Sequence, residues 1–141
     1  MSTTFEKQSI SSEAAQSLVT EAIREARESG LVVTVAVCDE SGVLKALSRM
    51  DGAALLTVAS AQDKAYTAAG FGHASHKWYP MIKDDPALLH GIVGAIDRLV
   101  IFGGGVPIKV GGQVVGAIGV GGGTHNQDRE IAEKAVKLVA P

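Results

Sequence analysis

The chain has 141 residues, 46% of them hydrophobic and 20% charged, and its formal net charge is −2 at pH 7. This length is enough for one ordinary domain, so we expect a single domain over residues 1–141. The slightly acidic balance provides no basic surface for nucleic acid and no polybasic patch for a membrane, which excludes both of these partner classes.

The apolar content and the single cysteine, Cys38, bear on the protein's environment. One cysteine cannot form an intrachain disulfide, and the first residues, MSTTFEKQ, lack the pattern of a secretory signal, so we expect a cytoplasmic protein. The longest apolar run, from Leu31 to Cys38, is far shorter than the roughly 18 to 20 residues that span a bilayer. The positive mean hydropathy, +0.20, therefore predicts apolar surface that is buried in a homo-oligomer.

The first half of the chain predicts a helix, a hairpin and a second helix. Apolar residues at helical spacing indicate an amphipathic helix over residues 13–29, capped by Ser12 and ended by Gly30. The runs LVVTVAVC and VLKALSRM, joined by the turn-forming residues Asp39–Gly42, predict a β-hairpin. Helical spacing returns over residues 53–69, where the apolar face is mostly alanine, so this helix can lie close to a sheet or another helix.

In the second half, residues 71–86 are predicted to be irregular, and Asp85-Pro86 predicts the start of a short helix in which His90 is packed. Three strand-like runs follow, LVIF, VPIKV and QVVGAIGV, with Gly111-Gly112 as the hairpin turn between the last two. Thr124 and Gln127 predict a capping box at the start of the last helix. This order of elements predicts an α/β (α+β) fold with a mainly antiparallel sheet and helices packed on it.

The glycines between the last strand and the last helix do not fit a nucleotide-binding motif. Gly119 and Gly121 supply G-x-G, but Thr124 stands where a dinucleotide fingerprint has its third glycine, and no Gly-Lys-Ser/Thr is present. Two interpretations remain open for Gly122 and Gly123. Their amides can bind an anion at the start of the helix, or the glycines only permit a tight turn and close packing.

The segment FGHASHKWY, residues 71–79, contains two of the four histidines and the single tryptophan. His73 and His76 are three residues apart, so on a helix both rings would lie on one face and could ligate a haem iron or form one arm of a metal site. Trp78 could contact a planar ligand such as a porphyrin. The alternative is a surface loop that is anchored by its aromatic residues and has solvated histidines. No third ligand stands at a spacing typical of zinc.

Four other side chains are candidates for anion or proton chemistry. Arg49, at the end of the second strand, could bind a carboxylate, and Asp51 could cap the following helix or act as a base. Lys64 could reach an anionic ligand over the sheet edge or be a solvated helix residue. His125 follows the glycines and could approach an anion held there or be exposed.

Four segments in order resemble the GlcG/HbpS-like haem-binding family, which includes the C-terminal domain of PduO-type proteins: DESGVLKALSRMDGA (39–53), SAQDKAYTAAGF (60–71), FGGGVPIKVGGQVVGAIGVGGG (102–123) and QDREIA (127–132). The likeness covers almost the whole chain from about residue 10. It implies a profilin-like α/β fold with a five-stranded antiparallel sheet, and assembly into dimers and often octamers. It also implies haem binding in some members, with haem degradation or redox sensing in some of these.

The first functional hypothesis is a cytoplasmic haem- or tetrapyrrole-binding protein. Its ligand would lie near FGHASHKWY, and its propionates would be directed toward Arg49, Lys64 or the Gly122–Gly123 turn. This hypothesis rests mainly on the resemblance and partly on the residues.

The second hypothesis is a small catabolic enzyme, a tautomerase, lyase or hydratase, that acts on a carboxylated substrate. Arg49 and the glycine amides would hold the carboxylate, while His73, His125 or Asp51 would move a proton. A third possibility is a scaffold whose property is assembly alone.

Overall fold

The computed structural model describes residues 1–140, which form a mixed α/β structure with an antiparallel sheet flanked by helices. The elements are α1 (Ser12–Glu28), β1 (Thr34–Asp39), β2 (Leu44–Arg49), α2 (Leu56–Phe71), a 3-10 turn (Ser75–Lys77), α3 (Trp78–Ile82), α4 (Pro86–Ala95), β3 (Gly105–Val110), β4 (Gln113–Gly121) and α5 (His125–Val139). The sheet order is β2-β1-β4-β3, and all neighbouring strands are antiparallel. Within this part of the chain, no helix combines the length and apolar character needed to span a bilayer.

The sheet of residues 1–140 has four strands, so the expected fifth strand is wrong. The run LVIF, residues 99–102, forms a loop. Its backbone bonds to α2 instead of a neighbouring strand, since the Val100 N–H donates to the Thr67 hydroxyl oxygen at 3.0 Å. The same hydroxyl donates to the Arg98 carbonyl at 3.1 Å. An apolar, β-branched run is typical of a strand, but these side-chain bonds take the place of a strand ladder.

The predicted first helix and hairpin are confirmed with one correction at the cap. Ser11, not Ser12, caps α1, because its hydroxyl accepts a hydrogen bond from the Ala14 N–H at 3.1 Å. Gly30 follows the helix with a φ of +71°, which is the left-handed conformation that glycine adopts at little cost. The β1–β2 hairpin then begins the sheet.

The main core lies between the sheet and the pair α1 and α5. Both helices present an apolar stripe to the same sheet face, as their helical spacing predicts. The larger buried side chains of this core are Leu18, Val33, Val35, Val37, Ile108, Ile118, Val120 and Ile131.

The alanine-rich helix α2 packs against β1, β4 and β3. Its residues Ala65, Ala68 and Ala69 form a separate apolar cluster with Cys38 and Ala117. The predicted close approach is confirmed at Gly119, where a Cβ would overlap the Ala61 carbonyl oxygen and lie 2.6 Å from the Ala65 nitrogen. The helix begins only at Leu56 and has no side-chain cap, so Asp51 does not cap it. Small residues on both elements thus let α2 lie almost on the sheet.

The segment between α2 and β3 is more helical than predicted. The 3-10 turn and α3 occupy half of residues 71–86. Asp85 caps α4 as predicted, accepting from the N–H groups of Ala87 and Leu88 at 3.1 and 3.2 Å. No residue of α4 is buried, and His90 is exposed, so its predicted packing is wrong. The helix is nevertheless apolar, so it presents exposed apolar surface.

Candidate functional site

The chain after α2 brings three rings into mutual contact. Gly72 ends the helix with a φ of +81°, and its N–H donates to the Ala68 carbonyl. The ring centroids of Phe71 and His73 are 4.9 Å apart, those of Phe71 and Trp78 are 4.8 Å apart, and those of His73 and Trp78 are 5.3 Å apart. We refer to Phe71, His73 and Trp78 as the aromatic–histidine cluster.

The 3-10 turn fixes this cluster to the sheet. Ser75 is completely buried, and its hydroxyl oxygen accepts a hydrogen bond from the Gly105 N–H at 2.9 Å. This bond joins the turn to the first residue of β3. The cluster is therefore held from two sides, by the end of α2 and by the sheet edge.

The geometry of His73 leaves one ring nitrogen available. Its Nδ1 lies 3.2 Å from the Ala74 carbonyl oxygen, and a carbonyl can only accept, so in the neutral ring this contact assigns the proton to Nδ1 and the lone pair to Nε2. This Nε2 is buried and has no partner within residues 1–140. Buried polar atoms are normally paired, so the lone pair marks a place for a ligand or an ordered water.

Two further nitrogens of this segment are buried without a partner in the described chain, Nδ1 of His76 and Nε1 of Trp78. Burial lowers the pKa of His76, and the positive charge of Arg129 lowers it further. The neutral imidazole therefore persists to lower pH than that of an ordinary histidine. Since the neutral ring is the form that ligates metals, this shift favours the ligand form of His76.

A cleft of about 260 Å³ lies beside the aromatic–histidine cluster. Phe71, Trp78 and Tyr66 form part of its wall. The carboxylates of Glu40 and Asp97 also line it. The cleft thus combines aromatic walls with acidic groups.

Lys64 is buried in an ion pair, so its interpretation as a solvated helix residue is wrong. Only 2% of the residue is exposed, and its Nζ donates to Asp128 Oδ2 at 2.9 Å and to the Val120 carbonyl at 3.0 Å. The ring of Phe102 lies 5.4 Å from the ammonium nitrogen. The anion that Lys64 reaches is therefore a carboxylate of the chain itself.

The same carboxylate occupies the glycine turn. The Gly123 N–H donates to Asp128 Oδ1 at 2.8 Å, and the capping box of Thr124 and Gln127 is confirmed. Gly122 has a φ of +138°, and a Cβ there would lie 2.6 Å from the Val32 carbonyl oxygen. Close packing and an internal hydrogen bond account for these two glycines without an external anion.

Arg49, Asp51 and His125 belong to other parts of the chain than the aromatic–histidine cluster. The Arg49 guanidinium donates through Nε and Nη2 to the Ala53 carbonyl at 2.9 and 2.6 Å. Asp51 is exposed in the turn before α2, whereas the cluster follows that helix. The 16-residue helix α2, roughly 24 Å long, lies between them in the chain. His125 is exposed at the start of α5, with its ring 6.0 Å from that of Phe102.

Sequence reasoning missed Asp128 and Arg98. Asp128 falls on the buried face of α5, in helical register with Ile131, Ala132 and Ala135. A charged residue at such a position was the available signal for a buried ion pair. Arg98 lies in a loop with its guanidinium carbon 4.0 Å from the ring centre of Tyr66, and the sequence contains no signal for that contact.

Other ligand and nucleophile sets are limited in residues 1–140. No three His, Cys, Asp or Glu side chains of this part of the chain come together as a metal site. Cys38 is buried, which raises the pKa of its thiol to about 11. A protonated, buried thiol is a poor nucleophile. The unpaired histidine nitrogens are therefore the chemically distinctive groups of this site.

Comparison with known proteins identifies the family. Residues 10–137 match the family described as haem degrading protein HbpS-like, so the chain belongs to the GlcG/HbpS-like family. Protein GlcG of Escherichia coli K12 is 34% identical over 111 residues, which are 79% of this chain and 80% of GlcG.

Two solved structures share the fold. A PduOC–haem complex aligns with a TM-score of 0.85 and 28% identity, over 92% of this chain and 94% of that one. A double mutant of Streptomyces reticuli HbpS aligns with a TM-score of 0.87 and 26% identity, over 98% of this chain and 92% of that one. The resemblance on which the fold prediction rested is confirmed.

Proposed function

We propose that this protein binds haem or a related tetrapyrrole at the aromatic–histidine cluster, as a cytoplasmic protein. The observation that carries the proposal is the buried Nε2 of His73, which has no partner in residues 1–140 and belongs to a ring that contacts those of Phe71 and Trp78. An imidazole nitrogen is a common axial ligand of haem iron. A structural relative described as a PduOC–haem complex supports the same ligand class.

The residues present fit a haem better than an isolated metal ion. A porphyrin supplies four nitrogens to its iron, so the protein needs to add one or two ligands, and His73 and His76 suffice. Trp78 and Phe71 provide aromatic surface for the macrocycle. The neighbouring cleft, about 260 Å³, is smaller than a typical cofactor pocket of about 300–1,000 Å³, so the macrocycle would extend beyond it.

Haem would supply redox-active iron to the site. For this reason we extend the proposal to haem degradation or redox sensing. The description of the family as haem degrading supports this extension. The chain's own contribution would be to hold the imidazole of His73 in one tautomer through Ala74 and to shield it with Trp78. The profilin-like fold, the single domain over residues 1–141 and the acid–base roles of His73, Asp51 and His125 stay predictions.

Replacing both His73 and His76 by alanine should abolish or reshape the Soret and visible bands of the haem-loaded protein and weaken haem binding at least ten-fold. The reason is the loss of both candidate axial ligands, while the half-buried rings contribute little to the core. Absorbance titration measures the binding, and circular dichroism should be unchanged.

The wild type should show a saturable, shifted Soret band at one haem per subunit or per interface. His125→Ala is the matched control, because this histidine is exposed at the start of α5, and it should retain the wild-type spectrum. Unaltered bands in the double variant together with altered bands in His125→Ala would move the iron ligand to His125 and contradict the proposed site.

The alternative function is a small catabolic enzyme. The groups that were predicted to hold its substrate are engaged in hydrogen bonds within the protein. Arg49 is bonded to the Ala53 carbonyl, and the Gly123 amide is bonded to Asp128. Haem binding is therefore the function that we place first.

We also propose that the protein assembles as a homo-oligomer, from dimers up to an octamer. Leu88 and Val93 of α4 are 43% and 51% exposed, on a helix with no buried residue. Exposed apolar surface of this kind is unfavourable in water, and a second copy can cover it.

Light scattering after size exclusion at micromolar concentration should give a multiple of 14.5 kDa. Leu88→Glu with Val93→Glu should lower the measured mass, because charges in an apolar contact are costly to bury. Ser17→Glu, on the exposed face of α1, should leave the mass unchanged. A wild-type mass of one subunit would contradict assembly.

A further inference from the structure

A second cleft, of about 350 Å³, lies between α2 and the β1–β2 hairpin. It shares Tyr66 and Gly42 with the cleft beside the aromatic–histidine cluster. Its wall includes the small residues Ala36 and Ala65, which leave space above the sheet. The volume falls within the range of about 300–1,000 Å³ that small-molecule sites occupy.

Arg98 is the one charged side chain that lines this second cleft. Its guanidinium carbon lies 4.0 Å from the ring centre of Tyr66, and its Nε donates to Asp63 Oδ1 at 2.8 Å. The two terminal nitrogens, Nη1 and Nη2, make no hydrogen bond to any of residues 1–140. The planar guanidinium therefore still offers donors, in the arrangement that recognises a carboxylate.

The backbone also singles out Arg98. Its φ is +65°, and it is the only residue other than glycine with a positive φ between residues 1 and 140. The conformation is held from α2, because the Thr67 hydroxyl donates to the Arg98 carbonyl and accepts from the Val100 N–H. Such uncommon conformations persist where the surrounding structure imposes them, and they are concentrated at ligand sites.

The charge of the second cleft favours an anion. No Asp or Glu lines it, whereas Glu40 and Asp97 line the first cleft. Cys38 also lines the second cleft, and burial raises the pKa of its thiol to about 11, so this group is neutral at pH 7. The guanidinium of Arg98, whose Nε is paired with Asp63, is thus the one formal charge among the residues that line this cleft.

We propose that the Arg98 cleft is a carboxylate-binding site, in which the terminal nitrogens of Arg98 hold the carboxylate over the Tyr66 ring. The carboxylate can belong to a free small acid. It can also be a propionate of a tetrapyrrole in the adjoining first cleft, and this second source rests on the proposed haem function. In either case Arg98, rather than Arg49, is the arginine that recognises the anion.

Benzoate, with neutral benzamide as its isostere, is the probe for a free carboxylate. Titration followed by amide NMR shifts of Gly42 and Tyr66 should give a dissociation constant of about 1 mM for benzoate with the wild type, and no saturation with benzamide. Arg98→Gln should weaken benzoate binding at least ten-fold, because charge-assisted hydrogen bonds are lost. Arg24 is an exposed arginine of α1 that is likewise paired with helix carboxylates. Its replacement, Arg24→Gln, should leave the benzoate affinity unchanged.

Haem and haem dimethyl ester, followed by the Soret band, distinguish the two sources. If the carboxylate is a haem propionate, Arg98→Gln should weaken haem binding at least ten-fold and leave binding of the dimethyl ester unaffected. If the carboxylate belongs to a free acid, Arg98→Gln should weaken benzoate binding alone. The proposal is overturned when Arg98→Gln changes the affinity of neither benzoate nor haem.

The benzoate titration contains no haem, so a failure of haem binding is separable from a failure of this proposal. Arg98 and Asp63 are both partly exposed, with 37% and 31% of their side chains accessible, so the substitution should leave the fold intact. Arg98→Lys provides a second test, since it retains the charge and removes the planar pair of donors. Unchanged benzoate affinity in the Arg98→Lys variant would contradict bidentate recognition of the carboxylate.

Discussion

Replacing Asp128 by alanine should lower the free energy of unfolding by about 3–5 kcal/mol. The Lys64 side chain is only 3% exposed, so the substitution leaves its ammonium group inside the protein without a carboxylate partner. It also removes the acceptor of the Gly123 N–H. Urea denaturation followed by circular dichroism measures the loss.

Two controls test the cause of that loss. Glu133→Ala removes an exposed pair with Arg129 on the same helix, and it should cost less than about 1 kcal/mol. Combining Lys64→Met with Asp128→Leu removes both charges, so the double variant should be more stable than Asp128→Ala. A loss below about 1 kcal/mol for Asp128→Ala would show that the buried pair is energetically unimportant.

Gly119→Ala should destabilise the protein by about 3 kcal/mol, the upper end of the usual cost of overpacking. The new Cβ would overlap the Ala61 carbonyl oxygen, so α2 has to move away from the sheet. A carbonyl of the helix backbone cannot rotate aside as a flexible side chain can. Thermal and urea unfolding should both show the loss.

Gly70→Ala is the matched control on the same helix. A Cβ at Gly70 meets nothing within 4 Å, so this substitution should stabilise the protein by about 0.5–1 kcal/mol through helix propensity. Opposite signs for the two variants are the expected result. Equal melting temperatures of Gly119→Ala and the wild type would show that α2 does not lie as close to the sheet as described.

The position of α2 connects stability to the candidate sites. One face of the helix packs on the sheet through alanines, and the buried Lys64 ties it to α5 through Asp128. Its remaining face carries Tyr66, which lies between the two clefts, and Phe71, which belongs to the aromatic–histidine cluster. A shift of α2 therefore displaces groups of both clefts at once.

Local signals were sufficient for much of the fold. The Gly111-Gly112 turn is confirmed, with φ values of +57° and +79°, because a two-residue hairpin turn needs residues that adopt positive φ. The Thr124–Gln127 capping box is confirmed for a similar reason, since its hydrogen bonds form within one helical turn. The segment of His73 and His76 was also identified from sequence, by its clustering of residue types.

Predictions that depended on distant neighbours were less successful. The LVIF run resembles a strand, but Thr67 bonds its backbone from a helix about thirty residues earlier in the chain. His90 lies among apolar residues in sequence, yet no other element covers α4. Periodicity indicates which face of a segment is apolar, but it does not indicate whether anything packs on that face.

The sequence by itself determined the family, the antiparallel α/β fold and the segment that contains the candidate ligands, because these follow from residue order and short-range hydrogen bonding. The tertiary structure alone decided the environment of individual polar groups. Lys64 and Asp128 are 64 residues apart, and they pair only because the Lys64 side chain of α2 reaches Val120 on β4 and Asp128 on α5. Likewise, the unpaired Nε2 of His73 and the stacking of Arg98 on Tyr66 are consequences of packing, since burial and hydrogen-bond partners depend on the folded surroundings.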